Sequence, residues 1–241
     1  MHSNLHEMLK AADASTVGPY ATARSPVSVV ARYHARVSAQ QPQTWVQPVT
    51  LEGSLVRLEP LRHDHLADLA LVAFDQPVWR WTIARPQDAA GLEGWVETAL
   101  ANAEAGIERP FATIDCASGR AIGSTRFMSI VPEHRRLEIG WTWVGTAFQR
   151  TGANREAKLL QLGHAFEVLG ANRVEFKTHA GNERSRAALV GIGATFEGIF
   201  RSHMIMPDGS LRDSAYFSVV ADDWPAVKAD LSASLAGYPS T

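Results

Sequence analysis

The run Gln149-Arg150-Thr151-Gly152-Ala153-Asn154 sits where an alternating segment gives way to a helical one. Free backbone amides at a helix start attract anions, and a glycine lets a phosphate approach the main chain closely. This stretch is therefore the candidate anchor for a phosphate-bearing cofactor. Two familiar alternatives fail. A dinucleotide site requires G-x-G-x-x-G after a buried apolar strand, with an acid about 20 residues on, and a nucleoside-triphosphate loop ends in Gly-Lys-Ser/Thr. The chain has neither pattern.

Periodicity gives the elements that must hold this run. Ser54 to Leu58 alternates as a first strand that Pro60 stops, and Asp64 can cap a helix through about Ala73. An aromatic loop follows from Asp75 to Thr82, then a helix from Gly91 to Ala105. Phe111 to Cys116 and Ala121 to Ile130 read as strands joined by a turn at Ala117 to Arg120. In the next strand Leu137, Ile139, Trp141 and Trp143 fall on one face, with Glu138, Gly140 and Thr142 on the other. The helix after Gly152 is ended by Gly170. Val174, Phe176 and Thr178 form one buried strand face, Asn182 caps a further helix, and a hairpin turns at Pro207-Asp208-Gly209. The order predicts a mixed α+β domain with antiparallel halves.

The segment resembles the acyl-CoA loop of the GNAT N-acetyltransferase superfamily, whose pattern is Gln/Arg-x-x-Gly-x-Gly/Ala. Gln149 to Ala153 fit, and Asn154 departs at the last place. Within that superfamily the wording is closest to the RimJ/RimL-like branch, through Glu138-Ile139-Gly140, Glu156-Ala157 and Asn182 to Leu189. The likeness runs from about Leu51 to about Val220, in order. It implies a mostly antiparallel sheet of about six to seven strands flanked by about four helices, splayed into a V that admits coenzyme A. Two arginines depart from the pattern. Arg150 stands where many members have a glycine, and Arg155 where a small residue is common.

The resemblance implies acetyl-CoA as cosubstrate, held by the backbone of Trp143, Val144 and Gly145, by Gln149, Arg150, Thr151, Gly152, Ala153 and Asn154, and by Asn182. It implies an N-acetyltransferase acting by direct attack of a primary amine in a ternary complex. The amine could be a protein N-terminus or a small molecule. Ser185 would protonate the leaving thiolate, although Asn182 and Ser185 are also ordinary residues for a helix start. Glu138 is the candidate base, with a salt bridge to Arg136 or another arginine as its structural alternative. His203 is a second candidate base or a hydrogen-bonded strand histidine, and Asp213 and Tyr216 could support it across the final hairpin. Trp79 and Trp81, either side of Arg80, would grip the acceptor by stacking or pack in the core. Another class of function fits the same residues: a degenerate member that binds acyl-CoA as a sensor without turnover.

Composition bounds these readings. The 241 residues, 46% hydrophobic and 20% charged, suffice for one sizeable domain with extensions. A net charge of −2 disfavours a general nucleic-acid binder. No apolar run approaches a membrane span. The single Cys116 excludes an internal disulfide and reads as a half-buried strand thiol, and His164 as structural. The histidines are scattered and unpaired with acidic ligands at usable spacing, so no metal site is expected. Residues 1–48 are expected to be a disordered or extended tail, with 49–232 the domain and 233–241 a frayed end. The acid-poor stretch from Ala21 to Gln41 also has the composition of an organelle transit peptide; otherwise the expected location is cytoplasmic. A monomer or homodimer is expected, without membrane or nucleic-acid partners.

Overall fold

The computed structural model describes residues 45–238. The tail expected over 1–48 therefore lies outside the described residues except at its end, where Val46 is buried and Trp45 donates its Nε1–H to the Leu169 carbonyl at 3.0 Å. Eight strands form one sheet: β1 (Leu51–Glu52), β2 (Val56–Pro60), β3 (Arg109–Asp115), β4 (Ala121–Val131), β5 (Arg136–Val144), β6 (Arg173–His179), β7 (Thr195–Ile205) and β8 (Leu211–Val220). Their spatial order is β1-β2-β3-β4-β5-β6-β8-β7. Every neighbouring pair is antiparallel except β5 and β6. Parallel neighbours need a crossover, and the helix that follows Gly152 supplies it.

Among the described residues five helices flank the sheet: α1 (Leu66–Ala70), α2 (Ala89–Glu104), α3 (Ala153–Gly163), α4 (Glu183–Gly191) and α5 (Trp224–Leu235), with a single helical turn at Gln76–Trp79. The eight strands and five helices exceed the six to seven and about four expected. The two-residue β1 is too short for periodicity to detect, and α5 falls in a stretch given no element. Trp224, Val227 and Leu231 of α5 are buried at helical spacing, and each such side chain contributes about 1.5–3 kcal/mol on burial. The first strand runs through Pro60, and its helix starts from a 3₁₀ turn at His63–His65 capped by Arg62, not Asp64. Proline is tolerated at Pro60 because it is the last residue of its strand.

Two cores lie on opposite faces. Val56, Phe127, Leu137 and Ile139 pack under α3 and α5, while Ala112, Ile114 and Trp143 pack under α1 and α2 with Trp79 and Trp95. The alternation expected along β5 breaks between these two sets. The β4–β5 register shifts between Ser124 and Arg126, and Trp141 takes φ 50°. A one-residue bulge reverses every side chain beyond it. Leu137 and Ile139 therefore share a face with Thr142, whose hydroxyl meets Lys158 of α3 at 2.8 Å. Glu138 shares the other face with Trp143, so the expectation that it stands opposite the tryptophans is corrected.

One carboxylate ties the edge of the sheet to the crossover helix. Glu156 of α3 accepts from Ser54 N (2.9 Å), Ser54 Oγ (2.8 Å), Leu55 N (2.7 Å) and Val56 N (2.7 Å). Gly53 beside it has no room for a side chain, since a Cβ would meet the Glu156 carboxyl at 2.5 Å.

Candidate functional site

β5 and β6 pair only from Arg136↔Arg173 to Glu138↔Glu175, then separate. The divergence opens a cleft of about 750 Å³ between the outer half of β5, the start of α4 and the loop ahead of α3. Six basic side chains and two carboxylates line it, so the cleft favours an anionic ligand.

The loop is shaped by its conformation. A 3₁₀ turn at Thr146–Phe148 is followed by Arg150 at φ 67° and Gly152 at φ 88°, which directly precedes α3. A side chain at Gly152 would be strained, and its Cβ would meet Leu55 Cδ1 at 2.8 Å and the Tyr238 ring at 3.1 Å. Beyond it the first amides of α3 have no intrahelical acceptor. Asn154 lines the cleft, and its buried Oδ1 has no hydrogen-bond partner. An orphaned polar group at an anion-favouring helix start fits a bound polar ligand. Gln149 spans the opening, donating to the Val144 carbonyl at 3.2 Å and accepting from Arg184 of α4 at 2.9 Å.

Across the divergence, Asn182 caps α4 through its Oδ1, which accepts the Ser185 amide at 3.1 Å. This cap uses the carbonyl end of the side chain. Asn182 and Ser185 both line the cleft.

The polar face of β5, β6 and β8 forms the other wall. Glu138 is 3% exposed and accepts from Ser129 Oγ at 3.3 Å and from Lys177 Nζ at 3.4 Å. Its pKa lies above the usual carboxylate range because burial penalises the charge, an effect Lys177 opposes. Arg136, the partner considered for it, instead meets Glu175 at 3.4 Å. His203 Nδ1 lies 3.1 Å from Ser214 Oγ, and its Nε2 lies 3.4 Å from Tyr216 Oη. Asp213 does not join them; it accepts the Ser202 amide at 2.7 Å. Burial lowers the His203 pKa, so the ring is neutral near pH 7.

The structure brings together Glu138, Trp143, Val144, Gln149, Arg150, Asn154, Asn182, Ser185 and Trp81 on one cleft. Thr151, Gly152 and Ala153 of the loop do not line it, and neither do His203 and Tyr216. Two expectations change. Trp79 belongs to the core at 4% exposure: it donates its Nε1–H to the Ala73 carbonyl and packs against Trp143 at a centroid distance of 5.0 Å. The Gly145 amide is already taken by the Ile122 carbonyl at 2.9 Å, and a Cβ there would meet Val72 at 2.6 Å.

Three cleft residues carry no motif: Lys177, Arg212 and Lys158. Lys158 is buried and donates to Thr125 Oγ1 (3.2 Å), Thr142 Oγ1 (2.8 Å) and Gln161 Oε1 (3.0 Å), with no carboxylate partner. Burial lowers its pKa from 10.5 to about 7. In the window from about 7 to 10.5 the unfolded chain holds the extra proton, so native stability rises with pH there. Lys158→Met is therefore expected to stabilise the fold by about 2 kcal/mol below neutrality. The gain should shrink as pH climbs toward 10.5, and urea titrations at about pH 6 and about pH 10 check it. A gain independent of pH would mean that the amine is not titrating. Cys116 is a half-buried thiol raised by burial, and His164 stacks on Phe127 at 6.1 Å.

Among the described residues no group of three or more His, Cys, Asp or Glu could hold a metal ion. No helix there is long and apolar enough to cross a membrane.

Residues 56–195 match the acetyltransferase (GNAT) domain family. A Bacillus subtilis protein named putative ribosomal N-acetyltransferase YdaF is 26% identical over 177 residues, covering 71% of this chain and 92% of its own. A solved GCN5-related N-acetyltransferase from Brucella melitensis superposes with a TM-score of 0.74 at 36% identity, covering 80% of this chain and 87% of its own. The fold is shared by Mycobacterium smegmatis RimJ in complex with CoA-disulfide, with a TM-score of 0.67, 22% identity and coverage of 78% and 95%.

Proposed function

This chain belongs to the acetyltransferase (GNAT) domain family, and on that premise we propose that it transfers an acetyl group from acetyl-CoA to a primary amine by direct attack in a ternary complex. The observation that carries this is the divergence of β5 from β6 opposite the Gly152 helix start, with Asn154 Oδ1 unsatisfied between them. Acetyl-CoA supplies the activated thioester. The amides from Gly152 to Asn154 would hold its diphosphate, with Arg150 adding charge at the loop. The exposed edge of β5 from Ile139 to Val144 would pair with the pantetheine arm, and Asn182 Nδ2 would donate to it. The Gly145 amide is not available for that pairing, since Ile122 uses it.

An amine nitrogen on the polar face would lose its proton to Glu138, directly or through Ser129, and attack the carbonyl as the C–S bond breaks. The Ser185 hydroxyl, which has no side-chain partner among the described residues, would return a proton to the thiolate. Trp81 and the His203–Tyr216 pair would border the acceptor. The Mycobacterium smegmatis RimJ complex with a CoA species and the N-acetyltransferase name of YdaF support this reading.

The test is calorimetric titration with coenzyme A together with thiol release across amines and N-terminal peptides. Gly152→Val is expected to weaken coenzyme A binding by ~100-fold, because it removes the close approach and strains φ 88°. Wild-type protein that leaves coenzyme A unbound at millimolar concentration ends the proposal. Saturable binding with no thiol release from any amine would favour the non-catalytic sensor.

A further inference from the structure

Among the described residues three arginines are buried: Arg109, Arg126 and Arg212. Burying a guanidinium costs several kcal/mol unless its charge and donors are met. Arg126 has its partner, since Glu108 accepts from it at 2.7 Å and the Trp95 and Trp141 rings lie against it at 4.3 and 5.2 Å. Arg109 donates to the carbonyls of Val46, Ala103 and Glu108 at 2.9, 2.9 and 2.7 Å. Arg212 has neither arrangement. It is 6% exposed, forms no ion pair among the described residues, and makes one long hydrogen bond, Nη1 to the Trp81 carbonyl at 3.4 Å. Its Nε has no acceptor.

Its position says what is missing. Arg212 shares a face of β8 with Ser214 and Tyr216, and its side chain lines the same cleft as Glu138. Trp81 roofs this end, packed on His179 at 4.6 Å. The loop proposed to hold phosphate is elsewhere in the cleft, with Arg150 on it and Arg184 of α4 reaching it at Gln149. One cavity thus offers a carboxylate for an ammonium and a buried cation that feels that carboxylate's charge without bonding to it, leaving donors to spare.

We propose that the acceptor is a free amino carboxylate, whose carboxylate docks on Arg212 while its amine faces Glu138. This rests on the acetyl-transfer reading above and narrows its substrate class. Guanidinium and carboxylate match as planar, doubly hydrogen-bonded partners. A protein N-terminus has its α-carboxyl locked in a peptide bond and cannot make this contact. The N–C bond forms as C–S breaks, and the ammonium gives up two protons: one leaves through Glu138, and the other replaces the proton that Ser185 passes to the departing thiolate.

The experiment compares each common free L-amino acid with its carboxamide, by thiol release with acetyl-CoA and by calorimetry with coenzyme A present. At least one free amino acid should exceed its amide in kcat/KM by ~100-fold, as a site built for a polar group rejects the analogue lacking it. Arg212→Met should reduce that preference to within about threefold, with the loss falling mainly on the free acid; Arg212→Lys should lie between. Wild-type protein that treats acid and amide alike, or accepts only peptide amines, overturns the proposal. Equal loss on both ligands in the Met and Lys variants overturns it too, because that marks Arg212 as a support for the Trp81 loop. Carboxylate-selective binding without thiol release would uphold the Arg212 site and sink the transfer reading. Thiol release without carboxylate preference would do the reverse.

Discussion

Glu138→Gln is expected to lower kcat by ~10²–10⁴-fold, the usual contribution of a positioned general base, while the melting temperature changes little. The amide fills the same volume and can still accept from Ser129, so the loss isolates proton transfer from packing. Coenzyme A affinity should be unchanged, because Glu138 is bonded to Ser129 and Lys177 and to no group of the Gly152 loop. The pH profile provides a second readout. The acid limb of kcat/KM reports the base in the free enzyme, and burial sets that limb above the ordinary carboxylate range. Lys177, whose Nζ lies 3.4 Å away, stabilises the ionised form and holds the pKa back. Removing that cation in Lys177→Met must therefore move the limb to higher pH, so that activity appears later as pH rises. A Gln variant keeping more than a tenth of wild-type kcat, or a limb that moves to lower pH in Lys177→Met, would show that another group takes the proton.

The parts of this site visible in the sequence are those whose signal is local. Gly152 stands at a strand-to-helix junction, and only its neighbours are needed to see why a residue without Cβ belongs there. Asn182 and Ser185 are three residues apart, and that spacing alone yields the observed cap. The Pro207-Asp208-Gly209 turn likewise specifies the β7–β8 hairpin. What stayed hidden depends on partners distant in the chain. Glu156 and Lys158 carry charges on a helix, which periodicity assigns to solvent. They turn inward because Ser54 to Val56 and Thr125 lie beneath them, 100 to 102 and 33 residues away in sequence. The bulge at Trp141 is silent for another reason. An alternating pattern that contains tryptophan at positions 141 and 143 looks equally regular whichever face the residues beyond the slip adopt, and only the β4 register reveals it. Trp79 suits core and acceptor equally by its local sequence, and two other tryptophans, Trp95 and Trp143, on elements far along the chain hold it in the core.

Glu156→Ala is expected to destabilise the fold by ~3–5 kcal/mol, the range seen when a buried polar network loses its central member. The alanine leaves the amides of Ser54, Leu55 and Val56 without their acceptor, and water cannot easily replace a carboxylate that is 6% exposed. Glu156→Gln should recover only part of the loss, since its NH₂ end would face backbone donors. For a domain of this length the cost corresponds to a melting point lower by ~10 °C. The consequence reaches the cleft as well. Leu55, held by Glu156, packs beneath Gly152, where any Cβ would strike it. Freeing the β1–β2 turn removes that support, so the Ala variant should also bind coenzyme A at least ~10-fold more weakly at temperatures where it remains folded. A variant that melts early yet binds with wild-type affinity would separate the two effects, making Glu156 a staple of the fold alone. Joint loss would mean that the geometry of the anion site is set from the far edge of the sheet, through one carboxylate and the three residues it holds.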